Sequence, residues 1–194
     1  MIVNLIKLIK LISKTTDDEE VITEDDFQDI VEESTDDGVI DEEEADIINN
    51  ALEFGDKVVR NIMTPIQDVF EIDVEHTSRQ ELLNTISQTD FSRIPIYKGK
   101  KENIVGILLV KEYLHKSMIK QNVSYRSCLI ETLKVFDTME IDALVDFLQS
   151  KQNHIAIVID EYGGFEGVVT MEDALEELVG EFEDTIAPGE VAHE

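Results

Sequence analysis

Tryptophan is absent from this 194-residue chain, cysteine occurs once and proline three times. A lone thiol, Cys128, cannot form an internal disulfide. The fold must therefore be held by packing and hydrogen bonds, which suits a reducing cytosol. Cys128 itself reads as a small buried hydrophobe. No apolar run reaches membrane-spanning length. The histidines, His76, His115, His154 and His193, lack metal-ligand spacing, and His154 opens an apolar strand, where a core role is expected. No serine sits in a nucleophile motif, so no catalytic constellation is expected. Bases are the scarcest class relative to their opposites. Lys and Arg number 16 against 44 Asp and Glu, a net charge of −28. That excludes non-specific nucleic-acid binding, which needs bases to displace counterions. It also argues against broad adhesion to anionic lipid, and leaves cations or a basic partner as compatible ligands.

The charge that is present is uneven. Residues 1–14 carry Lys7, Lys10 and Lys14 and no acid, whereas residues 15–56 carry 19 acids and no Lys or Arg. Met1 to Ile12 is too short to span a bilayer. As a helix it places Ile2, Leu5, Ile6, Ile9 and Ile12 on one face. That fits an interfacial membrane helix and equally a helix packed on the protein's own surface or a twin subunit. Residues 15–40 read as an acidic flexible linker. From Asp41 the spacing of Ala45, Ile48 and Leu52 predicts a helix with acids in its first turn, ended by Gly55. Val58–Met63 predicts a second, short helix, stopped by Pro65.

About 42% of residues are hydrophobic, enough for a packed core, and that core is written twice. Ile94-Pro-Ile-Tyr97 leads to Gly106-Ile-Leu-Leu-Val-Lys-Glu112; adding 61 to every position gives Ile155-Ala-Ile-Val158 and Gly167-Val-Val-Thr-Met-Glu-Asp173, with no gap. Each copy predicts helix, strand, turn, strand, helix. In the first copy the elements are a helix around Leu82 and Ile86, strands 94–97 and 104–109, the turn 98–103, and a helix from Val110. In the second they are helix 141–149, strand 155–159, turn 160–164, strand 165–169, and a helix to about Glu181. The fold class is α/β (α+β), with two β-α-β-β-α units packed as a pseudo-twofold pair.

The copies differ where a strand meets a helix. A helix N-terminus has unpaired N–H groups and accepts anions. There the second copy offers Thr170 and Asp173, a hydroxyl that can donate to a phosphate or sugar oxygen and a carboxylate that can accept from ribose hydroxyls. The same Thr-x-x-Asp spacing is also nearly a capping box. The first copy has Leu109 and Glu112, so its related site is expected to be weak or empty. Arg93, one of few bases, is a plausible phosphate partner or a surface ion pair. Asp160-Glu161, before Tyr162-Gly-Gly164, reads as a hairpin turn rather than a working carboxylate pair.

Five stretches carry a resemblance: Val58-Val-Arg-Asn-Ile-Met-Thr-Pro65, Phe91-Ser-Arg-Ile-Pro-Ile-Tyr97, Asn103-Ile-Val-Gly-Ile107, Val158-Ile-Asp-Glu-Tyr-Gly-Gly164 and Gly167-Val-Val-Thr-Met-Glu-Asp-Ala-Leu-Glu-Glu-Leu-Val-Gly-Glu181. Over roughly residues 41–184 the chain resembles the tandem cystathionine-β-synthase (CBS) domains, or Bateman module, of the CorC/hemolysin C proteins. These are associated with magnesium and cobalt efflux and related to the CNNM transporters. The resemblance implies an adenine-nucleotide site, for ATP or AMP; beside so many carboxylates a multiply charged nucleotide needs a screening cation, so Mg²⁺, held mainly by phosphates and water, is expected to accompany it. Thr170 and Asp173 would hold the ribose, Phe91, Ser92, Ile94 and Pro95 would border the adenine, Arg93 would face the phosphates, and Thr64 would lie near the seam. Ile66 stands where such proteins usually have Arg, which puts that residue's contact in doubt. No metal-ligating residue is assigned.

The expected organisation is an amphipathic start and linker over 1–40, a helical lead-in over 41–65, CBS unit 1 over 66–125, CBS unit 2 over 126–182 and an acidic tail over 183–194. The chain reads as a short form without the transmembrane and C-terminal domains of its relatives. The expected role is a regulatory nucleotide-binding homodimer, cytoplasmic or peripheral at the inner membrane face through residues 1–14, and not an enzyme. The alternative is an interaction scaffold that binds no nucleotide, or a peripheral hemolysin-like membrane protein.

Overall fold

The computed structural model describes residues 23–120 and 122–180. They divide into two compact units, Val58–Met171 and the remainder, the described residues before Val58 together with those from Glu172. The expectations for Met1–Ile12 and for the acidic tail lie outside the described residues.

In the smaller unit the linker expectation is corrected. Residues Glu24–Asp36 form a helix, α1. Thr23 caps it: its hydroxyl oxygen accepts from the Asp26 N–H at 3.2 Å, and the Asp26 carboxylate accepts from the Thr23 N–H at 2.8 Å. This closed capping box satisfies end groups that an acidic linker would leave to water. Phe27, Ile30 and Val31 then supply a narrow apolar stripe, with Val31 buried. The predicted helix from Asp41 is present as α2 (Glu42–Glu53), capped by Asp41 and Glu44. Lys57 follows and pairs with both Glu53 and Glu177.

The larger unit holds α3 (Val59–Ile62), β1 (Thr64–Pro65), β2 (Ile72–Asp73), α4 (Arg79–Ile86), β3 (Arg93–Lys98), β4 (Lys100–Leu109) and α5 (Val110–Ile119). A 3-10 turn leads to β5 (Leu129–Ile130), β6 (Lys134–Phe136), α6 (Ile141–Ser150), β7 (Ile155–Ile159) and β8 (Phe165–Thr170). The next helix, α7 (Met171–Val179), begins as this unit ends. Both β-α-β-β-α units are present as expected. They form two four-stranded sheets, ordered β2-β3-β4-β5 and β1-β8-β7-β6. The turn expected over 98–103 shrinks to Gly99, whose φ of +75° makes a tight reversal, and Lys100 already belongs to β4.

Sheet membership does not follow chain order. β1 precedes the first copy yet pairs antiparallel with β8 of the second. β5 leads into the second copy yet pairs with β4 of the first. Val59, Ile62 and Met63 pack with Leu144, Leu148, Val158 and Val169, so the segment expected as a lead-in to the first copy is built into the second core. Each sheet has a helix-side core: Ile94, Ile96, Leu108, Tyr113 and Cys128 lie in the first, as expected of Cys128. A third cluster, of Val69, Ile107, Ile155, Ile157, Phe165 and Val168, joins residues of both sheets. The sheets are thus buried on two faces, which is why their strands read as unbroken apolar runs. His154 is exposed rather than in the core; its carbonyl accepts the Met171 N–H at 2.9 Å.

The gapless repeat also needs correcting. In the first hairpin Ile94 lies opposite Leu108; in the second Ala156 lies opposite Val169. Leu108 to Val169 is 61 residues, but Ile94 to Ala156 is 62. The helix-start hydrogen bonds agree: Val110 N–H donates to Ser92 O, and Met171 N–H to His154 O. A one-residue slip turns a strand over, so Ala156 and Val158, not Ile155 and Ile157, share the helix side with Ile94 and Ile96.

Gly167 and Gly106 serve the same purpose in the two copies. A Cβ on Gly167 would lie 2.2 Å from the Thr64 carbonyl oxygen; one on Gly106 would lie 3.0 Å from the Leu129 side chain. Each glycine admits the strand that crosses over. Elsewhere Asp73 ties the first hairpin: its Oδ1 accepts from Glu75 N–H at 2.9 Å and Gly99 N–H at 3.2 Å, and its Oδ2 lies 2.6 Å from His76 Nδ1.

Gly167→Ala is expected to cost about 1–3 kcal/mol in chemical denaturation, because backbone must move, and Gly106→Ala less, because a Leu side chain can yield. The hydrogen bond to Asp73 raises the pKa of His76 above 6.5, and the same bond lowers that of Asp73. The pair's contribution is therefore full below the ordinary imidazole value and is lost as pH rises through the raised one. It is lost again as pH falls through the lowered Asp73 value. An NMR titration should show His76 titrating above 6.5, and Asp73→Asn should bring it back down.

Candidate functional site

Thr64 is half-buried on β1, opposite Val168 of β8. Thr170, also half-buried, ends β8 opposite Ile155. The strand exchange therefore brings a threonine from before the first copy beside the strand that ends in the threonine of the second. Asp173 lies in the first turn of α7 with Glu172, where the helix dipole favours a carboxylate.

The five residues 91–95 divide by burial. Phe91 and Ser92 are exposed, Arg93 is half-buried, and Ile94 and Pro95 are buried. Ile94 belongs to the helix-side core. Pro95 lies opposite Ile107, a member of the cluster that joins the sheets. Arg93 begins β3 opposite Leu109, and its guanidinium has no carboxylate partner among the described residues. Phe91 stacks on Phe70, with ring centroids 5.3 Å apart and an interplanar angle of 24°. Phe70 was missed in the sequence; it lies just before β2, and nothing in its local pattern marks it as Phe91's neighbour.

A second missed pair explains why Arg60 differs from Arg93. Asp137 is the buried charged residue of the described core, at 5% exposure. Arg60 donates to it through Nε at 2.8 Å and through Nη2. Backbone bonds Arg60 N–H to Asp137 O and Val59 N–H to Met139 O lock α3 there. The bond to Asp137, with Glu161 and Glu166 nearby, holds Arg60 above the ordinary guanidinium range. Arg60 is thus committed to structure.

In the first copy Glu112 pairs with Lys116 at 2.6 Å, a bond along the α5 surface, and Leu109 offers no hydroxyl. The Asp160 segment is a turn, as expected: its Oδ1 accepts from Tyr162 N–H at 2.9 Å and Gly164 N–H at 2.6 Å. Gly163, at φ +84°, completes it. Among the described residues no three His, Cys, Asp or Glu side chains converge as a metal-binding group. No described helix is long and apolar enough to cross a membrane.

Two exchanged sheets around a shared apolar seam, with hydroxyls at strand ends, define a tandem CBS pair, and the CBS-domain family pattern matches residues 59–119 and 131–180. The chain belongs to that family, in its CorC/hemolysin C branch. It is 39% identical over 143 residues to hemolysin C of Brachyspira hyodysenteriae, covering 74% of this chain and 52% of that one. A solved CBS domain of a bacterial CNNM/CorC family Mg²⁺ transporter superposes with a TM-score of 0.72 at 30% identity, covering 84% of this chain and 99% of that one. A form of such a domain in complex with ATP gives 0.65 at 32%, covering 72% and 99%. A CBS-domain pair from Klebsiella pneumoniae with bound AMP gives 0.59 at 25%, covering 63% and 98%. The chain spans about half or less of the length of the curated relatives it matches.

Proposed function

We propose that the chain is a regulatory module that binds an adenine nucleotide, ATP or AMP, and is linked to magnesium or cobalt efflux or homeostasis. The observation that carries this reading is Arg93: a half-buried guanidinium without a carboxylate partner among the described residues, in a chain of net charge −28. So many carboxylates would ordinarily claim such a group. Left open, it suits a phosphate, which it can bind with two parallel N–H donors. The relatives solved with ATP and with AMP support the ligand class.

In this reading Thr170 donates to a ribose or phosphate oxygen and Asp173 accepts from the ribose hydroxyls. Phe91 and Pro95 flank the base, Ser92 and Ile94 shape its rim through backbone, and Thr64 closes the site from β1. The residues fit the group: the hydroxyls lie at strand ends, and the first copy's Leu109 and paired Glu112 leave it without equivalents. Mg²⁺ would accompany ATP, held by phosphate and water, and would offset the repulsion between polyphosphate and the surrounding acids. CBS unit 1 spans 66–125 and unit 2 spans 126–182, and the chain works without catalysis, as a homodimer on the cytoplasmic side. Occupancy regulates only if the nucleotide prefers one of two arrangements of the pair.

Calorimetry with ATP, ADP and AMP, with and without Mg²⁺, tests this. Wild type should bind, and Asp173→Ala and Arg93→Ala should each weaken binding about ten- to a hundredfold, the worth of a charge-assisted hydrogen bond. Omitting Mg²⁺ should weaken ATP more than AMP. Silence from wild type with all three nucleotides would remove the reading.

A further inference from the structure

Lys57 is the one Lys or Arg among residues 15–59, and none follows Lys151. The described part of the smaller unit therefore holds a single basic side chain among its many acids. Lys57 Nζ lies 3.4 Å from Glu53 Oε2, within its own segment, and donates to Glu177 of α7, 120 residues away. The Lys57 and Glu177 side chains are each 28% exposed, against 54% for Glu53. The bond to Glu177 holds the Lys57 ammonium above its ordinary value, against the burial that pushes it down, so the lysine stays charged at neutral pH. On the other side of the bond, α7 lacks support of its own. It has nine residues, too few to be stable alone, and its buried anchors are Ala174 and Leu178. Glu172 and Asp173 suit its first turn, but Glu176 and Glu177 lie in its last turn, where the helix dipole opposes a carboxylate and α7 carries no base. At 1.5 Å and 100° per residue, Glu177 sits about 6 Å beyond Asp173 and about 40° round, on the same face.

We propose that Lys57 is a positioning residue for the nucleotide site: by holding Glu177 it fixes the rotation and height of α7, and so sets where Asp173 presents its carboxylate. The inference rests on the reading of Asp173 as the group that meets the ribose. Lys57 acts through α7 rather than by touching the nucleotide. Ala174 and Leu178 alone leave a short helix free to roll about its axis, and a carboxylate that must meet two ribose hydroxyls tolerates little roll. A clamp and a remote charge have opposite signatures at Glu177. If only charge mattered, removing the negative Glu177 would tighten binding of a phosphate-bearing ligand. With a clamp, the same change weakens binding although the surroundings become less acidic. Glu53 lies on the segment of Lys57, so its loss leaves α7 held.

Calorimetry of the full chain with AMP, and with ATP plus Mg²⁺, tests the proposal, each variant being kept well below its own thermal midpoint. Lys57→Met and Glu177→Gln should each weaken both nucleotides about three- to tenfold, the range for residues that act on a site without touching its ligand. The double variant should bind no more weakly than either single one, because both remove the same bond. Lys57→Arg keeps a charged donor within reach and should bind close to wild type, as should Glu53→Gln. Glu177→Gln is isosteric, so it carries the test if Lys57→Met does not fold. Wild-type binding that neither Lys57→Met nor Glu177→Gln alters overturns the proposal and leaves the nucleotide reading standing. Weaker binding in Lys57→Met with tighter binding in Glu177→Gln also overturns it, since Lys57 would then act through its charge alone. Equal losses in Glu53→Gln and Glu177→Gln overturn it too, because the cause would be a general loosening at the end of α2. Silence from wild type removes the inference together with the reading it rests on.

Discussion

The approach of the Thr64 carbonyl to Gly167 is the contact on which residues 58–171 depend. Only a residue without a Cβ lets β1 lie at that spacing, and β1 is what fastens the segment before the first copy to the sheet of the second. The reciprocal crossing of β5 past Gly106 fastens the linker to the first sheet. Between the two crossings sits the apolar cluster of Ile107, Ile155, Ile157 and Val168. Its burial is cooperative with both crossings, because each hairpin presents its second apolar face only when the other covers it. Arg60 and Asp137 add a polar lock on the same segment, fixing α3 where β1 begins.

Much of this was legible in the sequence because the repeated unit is rich in apolar strands bounded by glycine turns. The helices from Asp41 and Ile141, the strand Ile155–Ile159 and the Asp160 turn fall where pattern and turn chemistry placed them. The one-residue offset between β3 and β7 was hidden for a physical reason. A strand buried on both faces shows no alternation, so Ile155 and Ala156 are equally acceptable partners for Ile94 when only residue type is compared. α1 was hidden by its charge: the Thr23–Asp26 cap and three apolar residues suffice for a helix that composition assigns to a linker.

The candidate site was legible in part. Thr170 and Asp173 stand out by contrast with Leu109 and Glu112, a comparison within one chain. What spacing could not reveal is which side chains are already spoken for. Arg60 and Arg93 look alike in sequence; 77 residues separate Arg60 from the carboxylate that claims it. Phe70 became visible beside Phe91 only once the chain was folded. The asymmetry of the pair therefore lies in commitments made by tertiary contacts as much as in residue identity.

The crossed strands have a consequence for how this chain could be divided. A cut in the linker near residues 122–124 would leave each piece holding a strand that belongs to the other's sheet: β1 on the first piece and β5 on the second. Neither piece would be a finished domain, and each would expose a vacant sheet edge shaped for its counterpart. The two fragments should behave as a complementing pair, which makes the linker a natural place to split the protein into a reporter of its own reassembly.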